Sequence, residues 1–545
     1  MNKNTVIDTL HAIRNSYTHE SASKKLKLLN QLTITTLKSK AQTTLLYDTL
    51  LFILAHPHHE EIYQTADQKL NELIEHIATH SGLKRLLYNS GITGSEICTQ
   101  ISFELAKWLR INFRNNVSLD SFGADDSKIT YIISAVLPQI ESEIMQDENR
   151  SCKEWLKHCT LKHEDQLDTL IRIFDQSEIR PEIKDELWNS LEIFITVQLT
   201  GRIQLPPQSG VKDFHNLKDK INLPRERNTF KHKKINISIN HAKAILVTAR
   251  MMLVSHSREI DPISFSAPDL VSYYELQGGF TIALFGMQSE RRHPIDSYMG
   301  YMVFKNGLPL AYGGSWILFN SARIALHVFP SYRGGKSRYT FEQILELHRE
   351  VFHVNRFSVD PYQIGKNNDD GIKSGSFWMF YKAGFRPIKG ELLELAESEF
   401  RKINSDRNYR TPFSVLKQLA NGRMELMLSK NAVRFDATDL SLKYSEIVTM
   451  YFNGDRRVAE DQCYQQLCKL LQISSNSVNG NLKYVIKNWC VLFFNHNSTL
   501  KQQPQLLKKL KLIFQSKANG DEYFYIKMLQ QSAEIGAIIA GEVKK

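Results

Sequence analysis

The chain has 545 residues, more than one hydrophobic core usually spans, so about two to four domains are expected. Its 42% apolar and 23% charged content excludes a largely disordered or fibrous chain and fits a globular one. A formal net charge of +11 favours anionic partners, although over this length it also describes an ordinary solvated surface.

Cys98, Cys152, Cys159, Cys463, Cys468 and Cys490 are scattered and form no CxxC pair, so they read as reduced thiols. Met1–Ser16 lacks the apolar core of a signal peptide. The apolar run Leu45–Ala55 contains Asp48 and is too short to span a bilayer. A cytoplasmic location in a bacterium-like cell, with no membrane span, is the expectation.

Residues 1–200 read as a helical N-terminal region. Leu26, Leu29 and Leu32, then Leu45, Leu50, Leu51 and Leu54, recur at helical spacing, and Pro and Gly are scarce. His56-Pro57-His58-His59-Glu60-Glu61 invites a metal reading, but consecutive ligands cannot all face one ion, and Pro57 marks a loop or helix start. In Ser90-Gly91-Ile92-Thr93-Gly94-Ser95-Glu96, Ser95 is placed to cap a following helix.

Residues 201–236 read as a basic linker, opened by Pro206-Pro207-Gln208-Ser209-Gly210. Lys218, Lys220, Arg225, Arg227, Lys231, Lys233 and Lys234 would suit phosphate contacts in nucleic acid. No aromatic residues interleave with them and Asp219 and Glu226 interrupt the run, so a solvated connector is preferred.

Residues 237–395 form the expected α/β core. An amphipathic helix ends at Ser255, with Ile245, Leu246, Ala249 and Leu253 on one face; Ser255-His256-Ser257-Arg258 and a strand over Thr281–Met287 follow. Two apolar runs, Tyr298–Lys305 and Leu308–Phe319, are joined by Asn306-Gly307, the strongest short-range hairpin signal. A third run, Ala322–Phe329, ends at Pro330-Ser331-Tyr332-Arg333-Gly334-Gly335-Lys336-Ser337. Helical spacing returns at Phe341, Ile344, Leu345, His348 and Phe352. Arg356–Val359 reads as a strand, Ile372–Lys382 as a helix, and Gly384-Phe385-Arg386-Pro387 closes the segment. From residue 396 to 545 the chain reads as helix again, with Thr411 as N-cap and Pro412 in first position of one helix.

This order of hairpin, strand, Gly-rich basic turn, helix, strand, helix and Gly-Phe resembles the core of the GNAT superfamily, the acyl-CoA N-acyltransferases. The likeness is close over roughly 90 residues and extends to about 160 if the core starts near Ile237. With the region from Ile237, the Ser90-Gly91-Ile92-Thr93-Gly94 turn and Tyr362-Gln363-Ile364-Gly365, the wider chain resembles a group of uncharacterised bacterial proteins in which a GNAT-like core is embedded among helices. The resemblance implies that Arg333, Gly334, Gly335, Lys336, Ser337 and Arg338 form the turn that binds the diphosphate of CoA. Any anion would be favoured there by unpaired helix N–H groups and the helix dipole. It also implies that the third run and Arg356–Val359 are adjacent parallel strands, splayed at their carboxyl ends.

Both family motifs are altered. In strict register the turn's small residues become Lys336 and Arg338, and the family's Tyr becomes Phe380, with Tyr381 one step round the helix. A nucleotide-binding P-loop reading of Gly335-Lys336-Ser337 fails, because Pro330 stands where that motif needs glycine. The function implied is transfer of an acyl group from acyl-CoA, acetyl-CoA or a carrier thioester to an amine. The alternative is a non-catalytic GNAT-like module that binds an anionic ligand or partner. His327 and Asp360 are the candidate bases and Tyr381 the candidate proton donor. Glu290, Asp296 and Trp378 are candidates for an acceptor pocket.

Overall fold

A computed structural model of the chain describes residues 3–147, 151–206, 232–334, 337–429, 437–475, 478 and 480–540. It begins with helices Lys3–Ile13, His19–Gln31, Lys40–Ala55 and Glu60–Thr79. A small antiparallel sheet then interrupts the expected all-helical region. Its strands are β1 (Glu96–Thr99), β2 (Val117–Phe122) and β3 (Ile193–Gln198), in the order β1-β3-β2. The reason is visible in β3, where Ile193, Ile195 and Val197 are buried alternately, the period of a half-buried strand. Ser95 therefore precedes a strand and caps no helix; its hydroxyl donates to the Ile92 carbonyl.

The main sheet is mixed and occupies the middle of the chain. Its strands are β4 (Lys233–Ile235), β5 (Val271–Glu275), β6 (Phe280–Phe285), β7 (Ser297–Lys305), β8 (Leu308–Leu318), β9 (Ser321–Ile324), β10 (His327–Val328), β11 (Arg356–Val359), β12 (Arg386–Pro387) and β13 (Met424–Met427). The order is β12-β13-β11-β9-β8-β7-β6-β5-β4, with β10 also on β8. The last residues of the expected linker thus form an edge strand on β5, while residues 207–231, with Lys218, Lys220, Arg225, Arg227 and Lys231, lie outside the described residues. β13 corrects the all-helical C-terminal region: Met424 and Leu426 are buried, and the strand pairs antiparallel with both β11 and β12. Nearby, Pro412 is itself the N-cap of helix Phe413–Leu419, one place later than expected.

The Asn306-Gly307 turn joins β7 to β8 as expected, with φ of +49° and +78° at its two residues. Its tip is packed against the N-terminal helices. Asn306 Nδ2 donates to the Leu54 and Ala55 carbonyls at 3.2 Å each, and Gly307 O accepts from Leu205 N at 2.9 Å. The first two carbonyls end the Lys40–Ala55 helix, where they lack intrahelical donors.

β11 lies parallel to β9 in the register Arg356↔Ser321 to Ser358↔Arg323, as the turn and crossover helix predict. Beyond that the strands part. Ala325 and Leu326 interrupt the third run between β9 and β10, and the side chain of Gln363 reaches back after β11 to accept from Leu326 N at 3.1 Å. Gly313 makes the interruption possible: a Cβ there would lie 1.9 Å from the Ala325 carbonyl oxygen, which also accepts from the Tyr301 hydroxyl.

The apolar core has two parts. The larger runs from the first helices through the main sheet into the last helices; the second gathers residues between Ile97 and Leu199. Trp188 sits in the second, with Phe103 and Phe174 rings 5.3 and 5.2 Å away and Nε1 donating to Ile101 O. The helix Ile239–Ser255 serves both: Ile245, Leu246 and Leu253 face the first core, Met251 and Val254 the second. Among the described residues no helix is long and apolar enough to cross a membrane.

Candidate active cleft

Where β9 and β10 part from β11, a cleft of about 640 Å³ opens. The Ser337–Phe352 helix begins at its wall, with Gly334 and Ser337 lining it. That helix is amphipathic in the ordinary way, burying Phe341, Ile344, Leu345 and His348 against the sheet. The turn before it is held by the N-terminal helices: Asn15 Nδ2 donates to Gly334 O at 2.6 Å and Ser331 Oγ to Asp48 Oδ1 at 2.7 Å.

Arg258, Arg333 and Lys373 line the cleft against one carboxylate, Asp370. Among the described residues none of the three cations has an ion-pair partner, so their field is left for a ligand. Cations without local partners around a concave surface concentrate anions there.

Two histidines complete the cleft, and their hydrogen bonds fix both tautomers. Because Gln363 Oε1 accepts from Leu326 N, its Nε2 is the donor, 3.2 Å from His327 Nε2. The imidazole proton is therefore on Nδ1, and His327 stacks on Tyr312 with ring centroids 5.1 Å apart. Burial, then the charges of Arg258 and Arg333, push its pKa down to about 4. His256, at the end of the Ile239–Ser255 helix, has Nδ1 3.1 Å from Met252 O, which only accepts, so Nε2 carries the lone pair. Burial and the Arg258 charge lower its pKa as well, partly offset by the Met252 bond.

The predicted site residues divide sharply. His327, Arg333, Gly334 and Ser337 line the cleft, but His327 faces it as a hydrogen-bond donor, its lone pair being engaged by Gln363. Gly335 and Lys336 lie outside the described residues. Arg338 turns along its own helix to Glu342 at 2.6 Å. Asp360 is not in the cleft wall; it sits between Arg323 at 3.5 Å and Arg423 at 3.2 Å. Tyr381 is also outside it, buried among Phe377, Trp378 and Phe400 with Arg386 4.0 Å above its ring. Asp360 and Tyr381 thus lie outside the cleft wall, each engaged with neighbours away from the open space. Of the acceptor-pocket candidates, Asp296 pairs with His293 at 2.9 Å and Trp378 donates to Thr411; neither lines the cleft, nor does Glu290.

His256, Arg258, Tyr312, Gln363 and Lys373 were not predicted as site residues. For His256 and Arg258 the sequence offers a polar cluster just after an amphipathic helix, and a left-handed Ser257 (φ +50°) turns Arg258 back toward that helix.

Comparisons with protein-family models, with curated proteins and with solved structures return no match to this chain.

Proposed function

We propose that the cleft binds an acyl-CoA or similar acyl thioester and that the chain transfers the acyl group to an amine. The observation that carries this reading is the presence of Arg258 and Arg333 in the wall of one cleft where a 16-residue helix begins, after a parallel strand pair. A diphosphate placed at Gly334 and Ser337 would meet the positive end of the helix and the Arg333 guanidinium together. The thioester carbonyl would then lie toward His327. A neutral imidazole with its proton on Nδ1 donates to a carbonyl oxygen, and that bond strengthens as the oxygen gains charge during attack.

Calorimetry with CoA and acetyl-CoA on the full chain tests the donor half. Charge-assisted hydrogen bonds contribute about 1.5–3 kcal/mol each, so Arg258→Ala with Arg333→Ala should weaken binding by about two orders of magnitude or more. A folded wild-type protein that binds neither compound would remove the thioester reading. Binding of CoA without any thiol release from acetyl-CoA in the presence of amines would favour the non-catalytic anion binder.

A further inference from the structure

Behind the cleft lies a second cavity of about 160 Å³, and His256 and Pro330 belong to the walls of both. A cavity of about 150 Å³ accommodates benzene, so this one suits a group of about six non-hydrogen atoms. Much of its wall is apolar, with Leu51, Leu70, Ile74 and Met252 contributing.

One carboxylate faces that wall. Asp48 accepts from Ser331 Oγ at 2.7 Å, and among the described residues no cation forms an ion pair with it. Burial raises the Asp48 pKa, against the Ser331 bond and the Arg14 charge, so a cation entering the pocket is what would favour its charged form; the Arg14 guanidinium itself donates to His11 O at 2.7 Å and lies over the Phe52 ring. The cation in the cavity wall, Arg202, is neutralised by Asp67 at 2.5 Å. A mainly apolar pocket with one unpaired carboxylate selects a small cation with an apolar body. Ser331 follows Pro330, so Asp48 is tied to the wall that the cavity shares with the cleft. His256 stands at the same wall, its Nδ1–H on the Met252 carbonyl and, among the described residues, no hydrogen-bond partner for Nε2.

We propose that this inner pocket receives the amine acceptor, a small primary alkylamine drawn in as its ammonium by Asp48, and that His256 Nε2 takes the proton that must leave before attack. The inference rests on the thioester reading of the outer cleft. The deprotonated nitrogen forms the new N–C bond at the thioester carbonyl carbon, and the second proton of that nitrogen goes to solvent. The C–S bond breaks with its electron pair on sulfur, and the imidazolium returns its proton to the thiolate. Amide, thiol and one proton are the net products from ammonium and thioester.

The test uses the full chain with 1-aminobutane, its uncharged counterpart 1-butanol, and CoA, each titrated separately by calorimetry. The expected result is that wild type binds 1-aminobutane at least about tenfold more tightly than 1-butanol. Asp48→Asn, whose amide oxygen still accepts from Ser331 Oγ and so keeps the turn in place, should abolish that preference while leaving CoA affinity unchanged. Thr44→Phe, which fills the cavity from a half-buried wall position, should exclude both small probes and spares the argument if Asp48→Asn folds poorly. His256→Gln should bind 1-aminobutane and CoA but lose thiol release from acetyl-CoA. Equal binding of amine and alcohol, or amine binding untouched by Asp48→Asn and Thr44→Phe, overturns the pocket assignment. Thiol release that persists in His256→Gln overturns the role of His256. CoA binding without amine binding sinks this inference and spares the cleft reading; amine binding without CoA binding does the reverse.

Discussion

His327 and His348 are both held neutral by burial, each with its pKa pushed down to about 4. His348 is buried beneath the sheet, Nδ1 donating to Ile344 O at 2.8 Å and Nε2 accepting from Ser315 Oγ at 3.0 Å. In the unfolded chain a histidine takes up a proton near pH 6.5, whereas these native ones do so only near pH 4. The unfolded state thus binds more protons between those values, and stability must fall as pH falls through that window. Above the unfolded value the two groups contribute no pH dependence. Each should remove about 3 kcal/mol by about pH 4, read from urea denaturation at about pH 7 and about pH 4. His348→Gln should lower stability at neutral pH and make this acid-driven loss about half as steep. At this scale the sequence was partly legible. His327 could be singled out because it lies late in the third run, shortly before the Gly-rich turn, a local signal. His256 could not, because its place depends on the contact of its ring with Phe329, at 4.7 Å and far along the chain.

The elements most readable in advance were those specified by their own residues. Asn306-Gly307 supplies both positive φ angles that the turn needs, and the crossover helix brings β11 alongside β9. β1, β2, β3 and β13 were missed because they lie among helical segments and are defined by partners distant in sequence. Gly307→Ala should destabilise the chain by about 1–3 kcal/mol, since φ is +78° and the new Cβ would meet Leu205 O at 1.9 Å. The shift in the denaturation midpoint checks this. Gly313→Ala carries a different expectation. Its Cβ would drive the Ala325 carbonyl away and with it the break that displays His327, so CoA affinity should fall alongside the melting temperature. Retained affinity would show that the break does not position the cleft.

Across the whole molecule, the last helices lock onto the entrance of β7. Lys517 is fully buried and bonds to Glu522 at 2.9 Å and to Asp296 O at 2.8 Å, while Ser297 also donates to Glu522. Trp489 Nε1 donates to Pro294 O at 2.9 Å, and Gln530 Nε2 reaches the Phe319 and Phe352 carbonyls. Lys517→Met alone leaves the buried Glu522 carboxylate with only Arg292 Nε, at 3.4 Å, as a cation and should cost up to about 3–5 kcal/mol. Lys517→Met with Glu522→Leu should recover much of that loss, which denaturation of the two variants resolves. Failure of the double variant to recover would mean that the pair also fixes the geometry of the Pro294–Ser297 segment.

The pairing of β1 with β3 has a mechanical meaning. Glu96 stands opposite Gln198, so the stretch of chain carrying the second core leaves its host and returns to it side by side. Beyond this seam it is held by Met251 and Val254 on a helix whose other face belongs to the first core, by Ser102 on Glu259, and by Glu104 and Asp185 on Arg291. That helix ends at the residues beside His256 and Arg258. Met251 and Val254 sit close to that end, so the second core packs directly against the segment that leads into the wall of the cleft.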